Sequence, residues 1–467
     1  MNFSKVTQGD IDYLEGICPG RVFTGAAIHE DYTHDEMPEY GTHAPDAVVE
    51  AMSSEEVSAI VAYANERSIP VVPRGTGTGL CGGCVAIYGG ILLSTVRMDR
   101  ILEIDEENLT ARVQAGVVLL DLAEETKKRG LLYCPDPGEK SATLGGNIMT
   151  NAGGMRAVKY GVTKDYVLGM TCVLADGSIL RTGGKAVKTS SGYNLEGLLV
   201  GSEGTLCVLT EALVRLAPLP PYNMALLVPY GDIEACIATV PKIIQAKIVP
   251  TAIEFAQREV VLLAEEYLGR TFPHKSAPAY LVFALDGGSQ GELDYASERV
   301  AGICLENGAI DVFISDIEER LDSIWGPRGE FLEAIKASTD EMDECDVVVP
   351  RSRMADFIIF LEALRGEQDV RIVSFGHAGD GNIHVYVCRD GMDESDWRRK
   401  LDYCMDALYA KAGELGGEVS GEHGIGHAKI GYLLQSLSEA EIGMMRSIKR
   451  ALDPKGIMNP GKVVEGD

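Results

Sequence analysis

Apolar positions along the chain change their period several times, and each change marks an element. Residues 55 to 67 carry apolar side chains at helical spacing, and Ile69-Pro-Val-Val-Pro73 then reads as a strand running into glycines. Runs rich in Val, Leu and Thr at Gly90 to Ser94, Thr110 to Ala115, Met170 to Leu174 and Thr205 to Leu216 predict short strands joined by turns such as Asp176-Gly177. Helices are few here, Leu119 to Arg129 being one, so this half predicts an α+β domain rather than a doubly wound sheet. Successive prolines at Pro218, Pro220 and Pro221 disfavour continued strand or helix and mark a boundary. Beyond it the pattern predicts strand Met224 to Val228, helix Ile233 to Ala246, strands Ala252 to Phe255 and Ala279 to Asp286, and helix Gly291 to Glu306. Strand Val347 to Val349, helix Met354 to Leu364, a hairpin near residue 380 and a long helix Glu394 to Leu415 follow. That alternation predicts an antiparallel sheet with helices on one face. The helix-breaking end, Leu452 to Lys462, is expected to return to the first domain. The expected divisions are 1–218, 219–430 and 431–467.

The hairpin carries the first candidate chemistry. Gly376 to His384 reads Gly-His-Ala-Gly-Asp-Gly-Asn-Ile-His between two β-branched stretches, and Ser420 to Gly426 reads Ser-Gly-Glu-His-Gly-Ile-Gly. With a four-residue loop from Gly379 to Asn382, His377 and His384 would be directly opposed on one face, with Cβ atoms roughly 5 Å apart. Two neutral imidazoles and a carboxylate make a site for zinc, iron or manganese that keeps positions open for substrate, and Glu422 is the candidate third ligand. A lone strand histidine is ordinarily structural and Gly-Asp-Gly is an ordinary turn. Of only 8 histidines, however, His377, His384, His423 and His427 fall in these two segments. His427 lies outside the Glu-His core and is expected to support it.

Composition narrows the classes. The 467 residues are 46% hydrophobic and 24% charged, which suits a soluble globular protein of two or more domains. The balance of 42 Lys and Arg against 70 Asp and Glu, a formal charge of −28, disfavours nucleic acid and anionic membranes. No basic segment precedes an apolar run at the N-terminus and no stretch approaches a transmembrane segment, so the cytoplasm is expected. The 11 cysteines are scattered and odd in number, which disfavours a disulfide framework. Cys81 and Cys84 form a lone Cys-x-x-Cys without a second pair, so an iron–sulfur relay would lie on another chain.

Glycines mark the cofactor. Arg74-Gly-Thr-Gly-Thr-Gly-Leu-Cys-Gly-Gly83 follows a strand, and its backbone N–H groups can converge on an anion. It lacks a Walker lysine and opens no evident helix, so neither common nucleotide fingerprint applies. A second run, Pro135 to Gly154, alternates amides and hydroxyls with glycines, as a large planar cofactor lying against the backbone requires. A third runs from Val200 to Glu211. These runs resemble the FAD-binding domain of the vanillyl-alcohol oxidase superfamily, and the histidine segments resemble its branch of D-lactate dehydrogenases, glycolate oxidase catalytic subunits and D-2-hydroxyglutarate dehydrogenases. The resemblance spans roughly residue 20 to Lys462. It implies a two-part FAD-binding domain and an antiparallel-sheet cap. It also implies that Arg74, Gly75, Thr76, Gly77, Thr78 and Gly79 hold the pyrophosphate. Pro137, Ser141, Gly145, Gly146, Asn147, Asn151 and Gly154 would line the path to the isoalloxazine, and Gly204, Val208 and Asn459 would close the site. The first loop lacks the histidine that links FAD covalently in some relatives, so binding is expected to be noncovalent.

The resemblance also implies a reaction. Metal at His377, His384 and Glu422 would receive a 2-hydroxy acid, His423 would take the hydroxyl proton, and hydride would pass from Cα to flavin N5. Arg328, in Trp325-Gly-Pro-Arg-Gly, matches the family arginine that grips the substrate carboxylate. Dicarboxylate-using relatives carry a lysine where this chain has Glu341 to Asp346, an acidic run that would repel a second carboxylate; D-lactate is therefore expected over 2-hydroxyglutarate. Similarity is greatest to the lactate dehydrogenase subunit that pairs with an electron-transfer flavoprotein in bifurcating complexes. An iron–sulfur partner is the alternative, and a noncatalytic FAD-containing assembly subunit is the alternative of a different class.

Overall fold

A computed structural model describes residues 3–272 and 274–464, leaving aside the side chains of residues 318–322. The chain divides into two compact units, and each is taken by itself.

The first unit comprises the chain up to Gly153, Val162–Leu219 and the chain from Glu422 onward. It contains a four-stranded sheet, in the order Val22–Thr24, Ala47–Glu50, Ile91–Ser94, Val71–Arg74, and a five-stranded antiparallel sheet, in the order Ile101–Asp105, Thr110–Gln114, Cys207–Arg215, Val167–Leu174, Ile179–Gly183. Helix Ser54–Arg67 packs between them. Ser53 caps it by accepting from Glu56 N at 3.1 Å, Glu55 and Glu56 stand in its positive first turn, and Ser68 ends it in the left-handed region at φ 55°. Its Val57, Ile60, Val61 and Ala64 share one core with Val49, Val71, Ile91 and Leu93 of the first sheet and Val173 and Val208 of the second. Fully burying each of the larger aliphatic side chains contributes about 1.5–3 kcal/mol, so this helix face holds the two sheets as one body.

The second unit comprises Gly154–Gly161 and Pro220–Gly421. Its seven strands run Phe313–Ser315, Tyr222–Tyr230, Ala279–Gly287, Ala252–Gln257, Arg371–His377, Asn382–Cys388, Met342–Val348, and every pairing is antiparallel. The expected helical layer is present as Ile233–Gln245, Gln290–Glu306, Met354–Gln368 and Glu394–Glu414. A second group, Arg258–Leu268, Glu318–Gly329 and Phe331–Ala337, packs on the sheet as well. Its Val260, Val261, Ile324, Phe331 and Ile335 share a core with alternate strand residues Ala225, Leu227, Val373 and Phe375. Side chains alternate across a strand, and Ile372 to His377 are all buried, so both faces of the sheet are covered.

The compact units differ from the expected divisions in two places. The chain rejoins the first unit at Glu422 rather than at residue 431, and Gly154–Gly161 leaves it for the second. Within the second unit Val158 meets Gly379, where an added Cβ would lie 2.7 Å from the Val158 Cβ, and Tyr160 Oη donates to Asp286 at 3.0 Å. Those contacts account for the short segment's allegiance.

Candidate active site

The histidine hairpin turns on residues 378–381, one position earlier than expected. His377 pairs with Asn382, and His384 pairs with Phe375. The two histidines are therefore diagonal neighbours on one face, and their rings still approach to 5.2 Å between centroids. Gly381 makes the turn possible: its φ is +99°, and a Cβ there would sit 2.0 Å from the Val349 carbonyl oxygen.

Each histidine stands opposite a carboxylate on the adjoining strand. Glu254 pairs with His377 across Ala252–Gln257, and Asp346 pairs with His384 across Met342–Val348. The His377 Nδ1 lies 2.8 and 3.0 Å from the two Glu254 oxygens. His384 Nδ1 lies 3.5 Å from Asp346 Oδ1 and 3.6 Å from Glu344 Oε1. These carboxylates are fixed in turn. Tyr386 Oη donates to Glu344 at 2.8 Å, while Asn382 Nδ2 and Ser420 Oγ donate to Asp346 at 2.7 and 2.8 Å. Arg328 sends Nε (2.7 Å) and Nη2 (2.6 Å) to Glu254 Oε2 and lies over the Phe375 ring at 4.6 Å. Burial alone would push the Glu254 carboxyl up, but its contacts with His377 and Arg328 outweigh it and hold it below the ordinary range. The fork expected to grip a substrate carboxylate is thus occupied by Glu254, because the helix carrying Arg328 packs on the same sheet face as the histidines.

In the first unit, Glu422 and His423 lie 3.6 Å apart at Oε1 and Nε2. Glu422 packs against Gly153 so closely that a Cβ on that glycine would fall 2.7 Å from Oε2. The loop that follows is held by Glu203, whose carboxylate accepts from Ile425 N and Gly426 N, both at 2.8 Å. Burial pushes the Glu203 carboxyl up, against those N–H groups and the nearby Lys462, whose ammonium burial pulls down to about 8. His427 turns away from this pair toward backbone carbonyls, with Nδ1 3.1 Å from Gly82 O and Nε2 3.0 Å from Tyr40 O.

The glycine runs meet one another in this unit. Thr76 Oγ1 donates to Ser141 O at 3.1 Å, and a Cβ on Gly75 would collide with Thr143 Oγ1 at 2.2 Å. Thr143 caps helix Leu144–Thr150 by accepting from Gly146 N, so Gly145, Gly146 and Asn147 form a first helical turn. Asn147 Nδ2 is buried without a hydrogen-bond partner, which fits a polar ligand lying against this turn. Asn151, at φ 52°, accepts from Lys164 N, and Gly154 has φ +126°. Pro137 is buried, Ser141 is exposed, and Gly204 lies against Pro73. Thr78 and Gly79 continue the first loop, where Gly79 O accepts from Glu36 N.

Three expected cofactor residues have their side chains committed elsewhere. Arg74 is buried and donates to His34 O, Asp31 O and Cys84 Sγ, bracing its own loop from beneath Gly77. Val208 lies in the core beside helix Ser54–Arg67. Asn459 Nδ2 spans the carbonyls of Gly83 and Glu203 at 2.8 and 2.6 Å. Pattern reading passed over Glu254 and the role of Glu203, and it took Glu344 only as part of an acidic run. The signal for Glu254 was a carboxylate within the apolar strand Ala-Ile-Glu-Phe, and for Glu344 the period of two with Asp346.

Residues 219–463 match the family described as FAD linked oxidases, C-terminal domain, and residues 45–183 match an FAD binding domain. The chain belongs to the FAD-linked oxidase family. This oxidase is 47% identical to a D-lactate dehydrogenase of Anaerostipes hadrus, over 99% of this chain and 98% of that one. It is 41% identical to the glycolate oxidase subunit GlcD of Bacillus subtilis (strain 168), over 93% and 92%. Among solved structures, p-cresol methylhydroxylase with substrate bound superposes with a TM-score of 0.80 at 19% identity, covering 98% of each chain, a likeness of fold. The protein is an enzyme, an FAD-dependent oxidoreductase. Among the described residues, no helix is long and apolar enough to cross a membrane.

Proposed function

We propose that this oxidase converts a short D-2-hydroxy acid, D-lactate by preference, to the 2-oxo acid. The observation that carries the reading is the buried His377–His384 pair with a carboxylate beside each Nδ1, the arrangement in which metal-ligating histidines are held. His377, His384 and Glu422 are read as ligands for zinc, iron or manganese. When bound, the ion would supply Lewis-acid polarisation of the substrate hydroxyl, and noncovalently held FAD would supply the hydride acceptor.

The chain's own residues perform the remainder. His423 takes the hydroxyl proton, and Glu203 fixes the loop that presents it. The first glycine loop offers backbone N–H groups for the pyrophosphate, and the turn at Gly145 to Asn147 approaches the rest of the cofactor. Arg328 keeps its bonds to Glu254 and is read as offering its remaining guanidinium N–H groups to the substrate carboxylate. Glu344 and Asp346, buried beside His384, make a second substrate carboxylate costly, which favours lactate over a dicarboxylate. The 11 free cysteines suit a reducing cytoplasm. Electrons leave to an electron-transfer flavoprotein, with bifurcation between two acceptors; an iron–sulfur subunit is the second reading, favoured by the likeness to a glycolate oxidase subunit.

Anaerobic addition of D-lactate to the FAD-loaded protein tests the reading. The oxidised flavin absorbance should disappear, and more slowly with D-2-hydroxyglutarate. Undiminished absorbance with every short D-2-hydroxy acid would overturn this substrate reading.

A further inference from the structure

Glu254 has no place in the reaction as read above, yet it is among the most buried carboxylates in the chain, at 1% exposure. Its two oxygens share their partners unequally. Both face His377 Nδ1, and Oε2 alone takes Arg328 Nε and Nη2. We propose that Glu254 is a positioning residue for the metal centre, which orients His377 through Nδ1 so that Nε2 is the donor, while Arg328 fixes the Glu254 carboxylate in place.

The chemistry follows from hydrogen-bond inventories. An ionised carboxylate only accepts, so the ring nitrogen facing it carries the proton, and a neutral imidazole then has its lone pair on the other nitrogen. Arg328 fixes the carboxylate that faces the ring, with Nε and Nη2 both on Glu254 Oε2. The strand register supports the same role, because Glu254 and His377 are direct cross-strand partners and the contact is set by the sheet rather than by a mobile loop. Arg328 is immobilised in turn over Phe375, itself 5.2 Å from the His384 ring. One arginine therefore braces both histidine positions.

This inference rests on the reading of His377 and His384 as metal ligands, and the experiment separates the two. Metal-stripped, FAD-loaded enzyme is titrated with Co(II), following its visible d–d bands, in wild type, Glu254→Gln, Glu254→Asp and His384→Ala. Wild type should bind and His384→Ala should not. Glu254→Gln should bind roughly 10- to 100-fold more weakly with displaced bands, the usual scale for losing such an outer partner, and Glu254→Asp should recover part of the loss. Wild-type affinity and an unshifted spectrum in Glu254→Gln would overturn the positioning role while leaving the metal reading intact. Failure of wild type itself to bind above His384→Ala would remove the metal reading and this inference with it. Retained FAD and an unchanged thermal midpoint establish that Glu254→Gln folds. Should it not fold, Arg328→Gln takes its place and should weaken Co(II) binding likewise; unchanged binding there would count against the proposal.

Discussion

His423 sits beside Glu422 on a loop pinned at its next turn by Glu203, so its side chain can be changed without removing the pins. Replacing it by Asn should leave FAD content and Co(II) affinity in place but slow anaerobic flavin reduction by roughly 100-fold or more, the scale of a lost general base. A stopped-flow rate in His423→Asn equal to wild type across pH 6 to 9 would assign the proton transfer to another group. A purely structural residue gives a second prediction. Burial opposes ionisation of Asp10, but Thr7, Tyr63 and Arg67 outweigh it and lower its carboxyl from 3.8 to about 2. A folded value below the unfolded one means that the contribution to stability is complete above about pH 4 and is lost as pH falls towards 2. Thermal midpoints of wild type and Asp10→Asn should therefore differ at pH 6, with the variant lower, and converge on acidification; a constant gap would dismiss the carboxylate as the cause.

At the scale of elements, periodicity was a good guide wherever one face of a helix or strand meets a core. The helix read over 55 to 67 is Ser54–Arg67, and that read over Glu394 to Leu415 is Glu394–Glu414. It failed where function puts polar residues inside. Strand Met342–Val348 was read only from Val347, because Glu344 and Asp346 broke the apolar pattern that burial normally imposes. The second helical layer was not read either, and its helix bearing Arg328 ends in Trp-Gly-Pro-Arg-Gly, where glycine and proline interrupt the helical pattern. Likewise the histidines were legible as a pair, while their register was not, because a one-position change in loop placement leaves the residue pattern equally plausible. Gly381 holds the observed turn at positive φ against the Val349 carbonyl. Gly381→Ala should destabilise the second unit by about 1–3 kcal/mol through positive φ and the Val349 clash, and should weaken Co(II) binding together with it. Denaturant unfolding with both properties unchanged would show that the turn is adaptable and the register set elsewhere.

Across the whole molecule, the question is where two electrons go after the flavin. The free cysteines are mostly buried and dispersed through both units, and among the described residues no cluster of thiolates is found. A formal charge of −28 surrounds the protein with a negative field, and a partner bearing a complementary patch would be steered to it. We therefore expect delivery to a separate protein whose association rate falls as salt rises, since exposed charges are screened over about 8 Å at physiological ionic strength. The enzyme should copurify at native expression with a heterodimeric flavoprotein, whose flavins would be the immediate acceptors. Copurification of an iron–sulfur chain would favour the second reading, and rapid turnover of the isolated enzyme with oxygen alone would remove the need for either partner. Salt resolves steering from mere adhesion: a steered encounter loses on-rate with little change in off-rate, whereas an association rate indifferent to salt between 50 and 500 mM (values on the order of those that shrink the screening length several-fold) would show that the acidic surface serves solubility instead.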